Sequence, residues 1–436
     1  MGFLAIFIGF AALVVLCLLN VNVMVAAFGA AMVVTLLAGL PFTDTLITAF
    51  FTRFGTIAGA LFPMFFFGAI LAELSSRSGA VISIADTVSN SLFRNARGQG
   101  ARYRFGFLSV ILASAILCYG GINAAVALIA IYPIAMAIFA KAGIPKRFVM
   151  GAICGGAFTF ALSGPGSPQP TNVVAMVIGT PSACGLVAGI VGAVVEITIM
   201  VAVLSRMTEH AVRRGAQGVR TEEITAVGTE LRKPAFLIAL APFVFLVVVF
   251  NLCKLNIALS ILAASVVAAA LFFPQLGLQG IFNAVNKGAR SSLTPIGAIA
   301  AVNGFAAVVQ SVPEYQQLID RLLHSHAPAV VLLIGCVALI CMMTGGSTTG
   351  TQIALPILAP VLTKLGMPLT FIHRVGTFSA TVLDSLPNSG AVIMALDLAD
   401  LKMKDGYPAV FVSTVLATTC GTLAVALIMT LFPALP

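Results

Sequence analysis

The chain has 436 residues, of which 60% are hydrophobic and only 8% are charged, with a net charge of +9. Soluble proteins carry about 25% charged residues, so this composition excludes a soluble globular enzyme and a disordered chain. At roughly 20 apolar residues per crossing, it predicts an all-α polytopic membrane protein surrounded by lipid. The excess of Lys and Arg lies between apolar runs, where it sets orientation, so we expect no nucleic-acid partner.

Twelve apolar runs can be followed along the chain. They lie at about 3–19, 23–40, 57–75, 105–140, 148–178, 184–205, 234–250, 255–273, 291–311, 328–363, 371–396 and 408–433. One long polar stretch divides them into two sets of six. We therefore predict a first repeat at 1–205, a cytoplasmic linker at 206–233 and a second repeat at 234–436.

The two sets show the same order of features. Pro133 and Pro145 correspond to Pro356 and Pro368 at a constant offset of 223 residues. The fourth run of each set is too long for one crossing and has a Gly-rich centre, which predicts a re-entrant hairpin. These hairpins fall at about 105–140 and 328–363.

The fifth run of each set is interrupted by Pro, Ser and Asn, which predicts a broken helix at about 148–178 and 371–396. Counting each hairpin as entering and leaving on one side gives five crossings per repeat. An odd number of crossings makes the repeats inverted. Two full crossings in place of a hairpin would return the chain to the same side, but arms of about 16–18 residues are short for a span.

Charge predicts the orientation. With both termini outside a plasma (inner) membrane, 18 Lys and Arg residues fall inside, including those of 77–104, 141–147, 287–290 and 397–406. Five fall outside: Arg53, Lys254, Arg321, Lys364 and Arg374. This is the asymmetry that the positive-inside rule requires.

Inverted repeats with broken helices are typical of secondary transporters. Irregular backbone at membrane depth must be buried in protein or line a wet cavity, and its free N–H and C=O groups can bind ions. Because no Arg or Lys lies in the breaks, we expect hydroxyls, amides and helix N-termini to hold a small hydroxy acid anion. The candidate substrate- and ion-binding residues are Tyr119, Gly120, Gly121, Asn123, Ser163, Ser167, Gln169, Thr171, Asn172, Ser347, Thr348, Thr349, Asp384, Ser385, Asn388 and Ser389.

Asp384 is the one carboxylate among these candidates. An ionisable residue within the membrane is a functional hypothesis by default, and withdrawal from water favours the neutral form of a carboxyl group. We therefore expect Asp384 to carry a coupling proton, with Na⁺ binding or a structural helix cap as alternatives. Glu73 and Glu196 lie in or near spans but at no break, so we rank them below Asp384.

Other chemistry has little support in the sequence. The histidines His324, His326 and His373 belong to no pattern, and the eight cysteines form no CxxC motif. We expect no metal site, no disulfide framework and no cofactor besides the coupling ion. No Ser/His or Asp/Asp pair with catalytic spacing indicates an enzyme. The segments 80–93 and 313–323 predict interfacial helices or connecting arms.

Several motifs occur together in a distinctive order. They are Phe67–Ala72, Tyr119–Gly121, Ala140–Arg147, Gly156–Phe160 and Pro165–Gln169. In this order they resemble the gluconate permease (GntP) family of the ion-transporter superfamily. The resemblance implies proton-coupled uptake of sugar acids or other small organic acids. It also implies a homodimer in which a scaffold domain supports a mobile, elevator-like domain that carries the hairpins.

One departure leaves the acid open, because gluconate permeases carry a His-containing segment where this chain has Ser163–Gln169. Together, the residues and the resemblance predict a secondary active transporter for a small organic (hydroxy)carboxylate, with proton symport favoured. A Na⁺-coupled carrier, a cation/proton antiporter and a passive channel remain alternatives.

Overall fold

A computed structural model describes the protein over residues 2–19, 21–93, 98–119, 124–167, 169–219, 233–251, 255–315, 317, 328–344, 346–387 and 389–433. Over these residues the secondary structure is helical, with no strand. The main helices are α1 Gly2–Leu18, α2 Val23–Leu37, α3 Thr52–Arg77, α4 Ala80–Phe93, α5 Gln99–Tyr119, α6 Ala124–Ala142, α7 Val149–Gly155, α8 Pro170–Ala175, α9 Leu186–Arg213, α10 Phe236–Asn251, α11 Ile257–Leu271, α12 Phe273–Gln310, α13 Ala329–Thr344, α14 Ser347–Lys364, α15 Leu369–Ala380, α16 Gly390–Leu398, α17 Met403–Phe411 and α18 Ala417–Leu431.

Several of these helices suit a bilayer. Among the described residues, four are long and apolar enough to cross a membrane, and a pair bent by 46° makes a fifth. The four are Gln99–Tyr119, Leu186–Arg213, Phe273–Gln310 and Met403–Leu431, and the bent pair is Phe42–Ala60 with Phe62–Arg77. Shorter apolar helices occur in α1, α2, α6, α10, α11 and α13.

Two helical hairpins are present. Helices α5 and α6 pack against each other, as do α13 and α14. The second hairpin is tight because a Cβ atom at Gly350 would lie 2.6 Å from the Cα atom of Cys341. The tip residues 120–123 and 345 lie outside the described part.

Two helices are interrupted. Helix α7 continues through a π-helical segment, Gly156–Phe160, and a final turn, Ala161–Ser163, before the helix stops. The chain becomes helical again at α8. We call residues 164–169 the first break. Likewise α15 ends at Ala380 and α16 begins at Gly390, and we call 381–389 the second break. Each break contains Pro, which has no N–H to donate to a helix.

The helices form two packed groups. One hydrophobic core joins α1 and α2 to α12 and also takes in Ile353 and Val361 of α14. Another joins α3 to α10, α11 and α12. The two hairpins, the interrupted helices, α9, α17 and α18 share two further cores. Helix α4 connects the groups, because Ala80 and Ile84 belong to the core around α3 whereas Val81 packs against the first hairpin.

Two local predictions need correction. Residues 287–290, predicted as a loop, lie inside α12, whose one irregular residue is Gly277 at φ 61°. Lys287 is held there by an ion pair of 3.0 Å with Glu73. The stretch predicted to be a linker from residue 206 begins as helix, because α9 runs to Arg213. Residues 220–232 of that linker, and 318–327 with His324 and His326, lie outside the described part.

Candidate functional site

A cavity of about 170 Å³ lies where the second hairpin meets both breaks. Seven of its lining residues carry polar side chains, and all seven belong to the predicted set. They are Gln169, Ser347, Thr348, Thr349, Asp384, Ser385 and Ser389. Apolar side chains from α6, the π-helical segment and its final turn, and α16 complete the wall.

Asp384 is the acidic group of the cavity and is 5% exposed. The Ser385 hydroxyl donates a hydrogen bond of 2.7 Å to its Oδ1 atom. The hydroxyl and backbone N–H of Ser347, the first residue of α14, also donate to the carboxyl group. The carboxyl group therefore sits at a helix N-terminus, where unpaired N–H groups favour negative charge.

A second helix also begins at the cavity. Ser389 is the N-cap residue of α16 and lines the wall together with Ala391. Helix α16 has nine residues and α14 has 18. The cavity thus faces the positive ends of two helix dipoles.

The first break and the helix α8 that follows it touch the two hairpins. The Thr171 hydroxyl lies 3.2 Å from the Ser347 Oγ atom and 3.2 Å from the Thr348 Oγ1 atom. The Gln169 amide donates to the carbonyl oxygen of Cys118 at the end of α5. The Ser167 hydroxyl accepts a hydrogen bond from the Gln169 backbone N–H and donates to Ala161. These contacts join residues from both halves of the sequence.

Two predicted residues, Ser163 and Asn172, do not line the cavity and instead surround the guanidinium group of Arg374. The Nη1 atom of Arg374 donates to the Ser163 carbonyl oxygen at 2.5 Å and to the Asn172 Oδ1 atom at 3.2 Å. Its Nη2 atom donates to the carbonyl oxygens of Ser182 at 2.9 Å and Cys184 at 2.8 Å. Its Nε atom donates to Cys184 at 2.9 Å. All five N–H donors of the side chain are satisfied.

The charge count placed Arg374 among the outside residues, whereas the structure encloses it in protein. Arg374 lies within α15 and is 0% exposed. Its burial is possible because the first break frees backbone carbonyls and because Gly185 and Gly189 leave room: Cβ atoms there would lie 3.1 and 3.3 Å from the side chain. The signal in the sequence was its position inside the apolar run 371–396.

His373 was also missed. Its Nδ1 atom lies 2.6 Å from the Thr180 hydroxyl, and its Nε2 atom lies 3.0 Å from the Asn172 Oδ1 atom. A neutral imidazole with the proton on Nε2 satisfies both contacts. His373 therefore helps to orient the Asn172 side chain that Arg374 contacts.

Four of the remaining candidates lie outside the described part of the chain. They are Gly120, Gly121, Asn123 and Asn388. Tyr119 is the last residue of α5 and is half-buried, and Arg374 and Glu196 lie close enough to affect it electrostatically.

The described residues contain no group of three His, Cys, Asp or Glu side chains that could hold a metal ion.

The chain is similar in sequence to known permeases and transporters. The sequence profile of GntP family permeases matches residues 1–253. The uncharacterized transporter YxjC of Bacillus subtilis is 25% identical, over 87% of this chain and 88% of that protein. An uncharacterized transporter of Haemophilus influenzae is 27% identical, over 73% of each chain.

Two solved transporter structures share the fold. The YdaH transporter of Alcanivorax borkumensis superposes with a TM-score of 0.57 at 18% identity, covering 89% of this chain and 88% of that one. MtrF of Neisseria gonorrhoeae, whose structure is described as illuminating a class of antimetabolite efflux pumps, gives 0.57 at 14% identity, covering 89% and 84%.

Proposed function

The chain belongs to the GntP permease family, and from that premise we propose that it is a secondary active transporter that moves a small organic (hydroxy)carboxylate together with a proton. The family and the structural neighbours are permeases and transporters rather than enzymes. The substrate and the coupling ion are the proposed part.

The observation that carries the proposal is the cavity at the two breaks. A carboxylate placed there meets the N-termini of α14 and α16 and the hydroxyl groups of Thr348, Thr349 and Ser389. Free N–H groups at a helix start bind carboxylates well. The volume of about 170 Å³ is below the 300–1,000 Å³ typical of sites for drug-sized ligands. A small acid with a few hydroxyl groups fits these features.

Coupling would follow from Asp384 sharing this cavity with the substrate. An ionised Asp384 repels a carboxylate held within a few ångströms in a low-dielectric site. Protonation removes that repulsion and leaves a hydroxyl donor for the anion. Binding of the proton and binding of the acid therefore favour each other, as symport requires.

Na⁺ coupling is the second candidate. Hydroxyl and carboxylate oxygens are ligands that hard cations prefer, and Ser347, Ser385 and Asp384 place such oxygens together. In that case Asp384 would stay ionised as a Na⁺ ligand. The ion gradient that drives uptake separates the two mechanisms.

We further propose that the group of helices bearing both hairpins and both breaks moves as a unit against α1–α3 and α10–α12. Support comes from the packing, because two hydrophobic cores lie almost wholly within this group. Ile353 and Val361 of α14 also pack in the core of α1, α2 and α12, so α14 is where the two groups would slide past each other. Such motion would carry the cavity between the two membrane faces in the manner of an elevator.

The test is uptake into proteoliposomes that contain the purified protein. Labelled gluconate, glycerate, 3-hydroxybutyrate, lactate, citrate and succinate are each offered with an inward proton gradient or an inward Na⁺ gradient. We expect concentrative uptake of at least one acid with the proton gradient alone. Uptake with Na⁺ alone would establish the second candidate. Na⁺-driven proton movement without uptake of any acid would show an antiporter and refute the proposal.

A further inference from the structure

We propose that Arg374 balances the charge of the carrier so that one proton and one monovalent carboxylate cross together without net charge. This inference rests on the proposed function and names its stoichiometry and its substrate class. It predicts that monocarboxylates are transported and that dicarboxylates and tricarboxylates, in their fully ionised forms, are not.

The guanidinium group of Arg374 is surrounded by uncharged groups. Every acceptor around its guanidinium is neutral: the carbonyl oxygens of Ser163, Ser182 and Cys184 and the amide oxygen of Asn172. No Asp or Glu in the described part of the chain forms an ion pair with it. Arginine stays charged in proteins. The buried site therefore holds a positive charge that its hydrogen-bond partners do not cancel.

Because all five N–H groups are occupied, Arg374 has no free donor for a substrate. It acts through its charge rather than by contact, and through its hold on the first break. Helix α15 rises about 1.5 Å per residue, so Arg374 lies on the order of 10 Å from the start of the second break. The direct attraction between the two charges is modest at that distance, but the charge of Arg374 counts in full toward the net charge that crosses the membrane.

The other ionisable groups around the site add no charge. The Glu196 side chain is 0% exposed, and in the described part of the structure neither of its oxygens has a hydrogen-bond partner. It faces Gly421 of α18, at 2.7 Å from a Cβ atom placed there. A carboxylate so placed would be buried without any compensation, so Glu196 is protonated.

His373 is buried and shares the Asn172 Oδ1 atom with the Arg374 cation, and both burial and a neighbouring positive charge favour the neutral imidazole. Tyr119 is a phenol that is neutral at physiological pH. The buried cysteines Cys118, Cys154, Cys184 and Cys341 are free thiols. Arg374 and Asp384 thus remain as the charged pair of the buried site.

The net charge of the buried site differs among the empty, protonated, anion-bound and fully loaded states of the carrier. In the empty carrier with ionised Asp384 the buried site is neutral, since the charges of Asp384 and Arg374 cancel. Protonation alone leaves it at +1, and an anion alone leaves it at −1. A proton together with a monovalent anion restores neutrality. Moving a net charge through a low-dielectric region is costly, so only the two neutral states cross readily, and proton and anion are coupled.

The first experiment uses the wild-type protein. Uptake of a transported monocarboxylate is driven by a fixed inward proton gradient, while a K⁺ gradient with valinomycin sets the membrane potential at 0 or −100 mV, inside negative. We expect the same accumulation ratio at both potentials. Transport of one net charge would change that ratio by about 50-fold per 100 mV, and such a change would overturn the inference.

The second experiment compares Arg374→Lys with Arg374→Gln. Lysine keeps the charge but has three donors for five acceptor contacts. We therefore expect slower uptake by Arg374→Lys, which still accumulates the acid to a ratio that does not depend on the membrane potential. Glutamine removes the charge and leaves the loaded carrier at −1, so we expect accumulation to fall at least tenfold relative to Arg374→Lys. Equal accumulation by the two variants would contradict a role for charge.

Failures of the two proposals can be told apart. If no acid is taken up, the proposed function fails and the inference fails with it. If a monocarboxylate is taken up with a potential-dependent ratio, the proposed function stands and the charge balance is wrong. If neither variant folds, as judged by gel filtration in detergent, the wild-type measurement decides alone.

Discussion

Asp384 is the residue on which coupling depends in this structure. Its carboxyl group is buried at the start of α14 and receives hydrogen bonds from Ser347 and Ser385. Asparagine has a similar size but cannot release or accept a proton. We expect Asp384→Asn to abolish accumulation driven by a proton gradient while leaving exchange of labelled for unlabelled substrate in place.

Asp397 is a suitable control, because it lies in α16 beyond the cavity wall and lines a different, open cleft. Asp397→Asn should accumulate substrate like the wild type. Full accumulation by Asp384→Asn would remove Asp384 from the mechanism.

Ser347 contacts both halves of the site. Its hydroxyl lies 3.2 Å from Thr171 in the first half and also bonds to Asp384 in the second. A hydrogen bond of this kind is worth about 0.5–1.5 kcal/mol. We therefore expect Ser347→Ala to raise the KM for the acid by up to roughly tenfold in the uptake assay.

Thr363 offers a matched control on the same helix. Its exposed side chain donates a hydrogen bond of 2.7 Å to the Ala359 carbonyl oxygen, and it bonds to no other residue that the structure describes. Thr363→Ala should leave KM unchanged. Equal KM values for the two variants would show that the Ser347 hydroxyl makes no contribution to binding.

The second hairpin requires its two arms, α13 and α14, to approach each other closely. A Cβ atom at Gly350 of α14 would lie 2.6 Å from the Cα atom and 2.8 Å from the backbone nitrogen of Cys341 on α13. Backbone atoms cannot move aside cheaply in a packed interior. We expect Gly350→Ala to lower the melting temperature of the purified protein by several degrees and to reduce uptake.

Gly335 on α13 is the control, because a Cβ atom there meets nothing within 4 Å. Alanine is the better helix former by about 1 kcal/mol, so Gly335→Ala should be neutral or stabilising. If Gly350→Ala melts like the wild type, the arms are not packed as described.

Whether an element is helical or interrupted could be predicted from the chain. The breaks at 164–169 and 381–389 follow from Pro and Gly in otherwise apolar runs, because proline interrupts the hydrogen bonds of a helix locally. The extent of α12 could not be predicted, since Lys287 and Arg290 resemble loop residues in sequence. The ion pair with Glu73, about 200 residues earlier, helps to keep that stretch in a helix.

The orientation of the whole molecule remains a prediction from charge. Without Arg374, which is buried, the count is 18 Lys and Arg inside and 5 − 1 = 4 outside. The positive-inside rule then places the exposed residue Lys364 outside and Lys146 inside. In a variant lacking reactive cysteines, Lys364→Cys should react with a membrane-impermeant maleimide on intact cells.

Lys146→Cys should react only after the membrane is opened. The reverse labelling pattern would invert the orientation, and labelling of both positions in intact cells would show that the membrane was leaky. Lys364 is exposed and Lys146 is partly exposed, so both positions reach the surface of the structure.

The amino-acid sequence was enough to predict the class of protein, the position of the hairpins and breaks, and the polar residues that line the cavity. These are local properties, since apolar run length and Pro or Gly interruptions act within a few residues. The contacts of Arg374 and His373 with the predicted residues Ser163 and Asn172 appear only in the folded chain. Their partners lie 190 to 211 residues away in the chain, and an arginine is stable in the interior only where distant carbonyl oxygens converge on it.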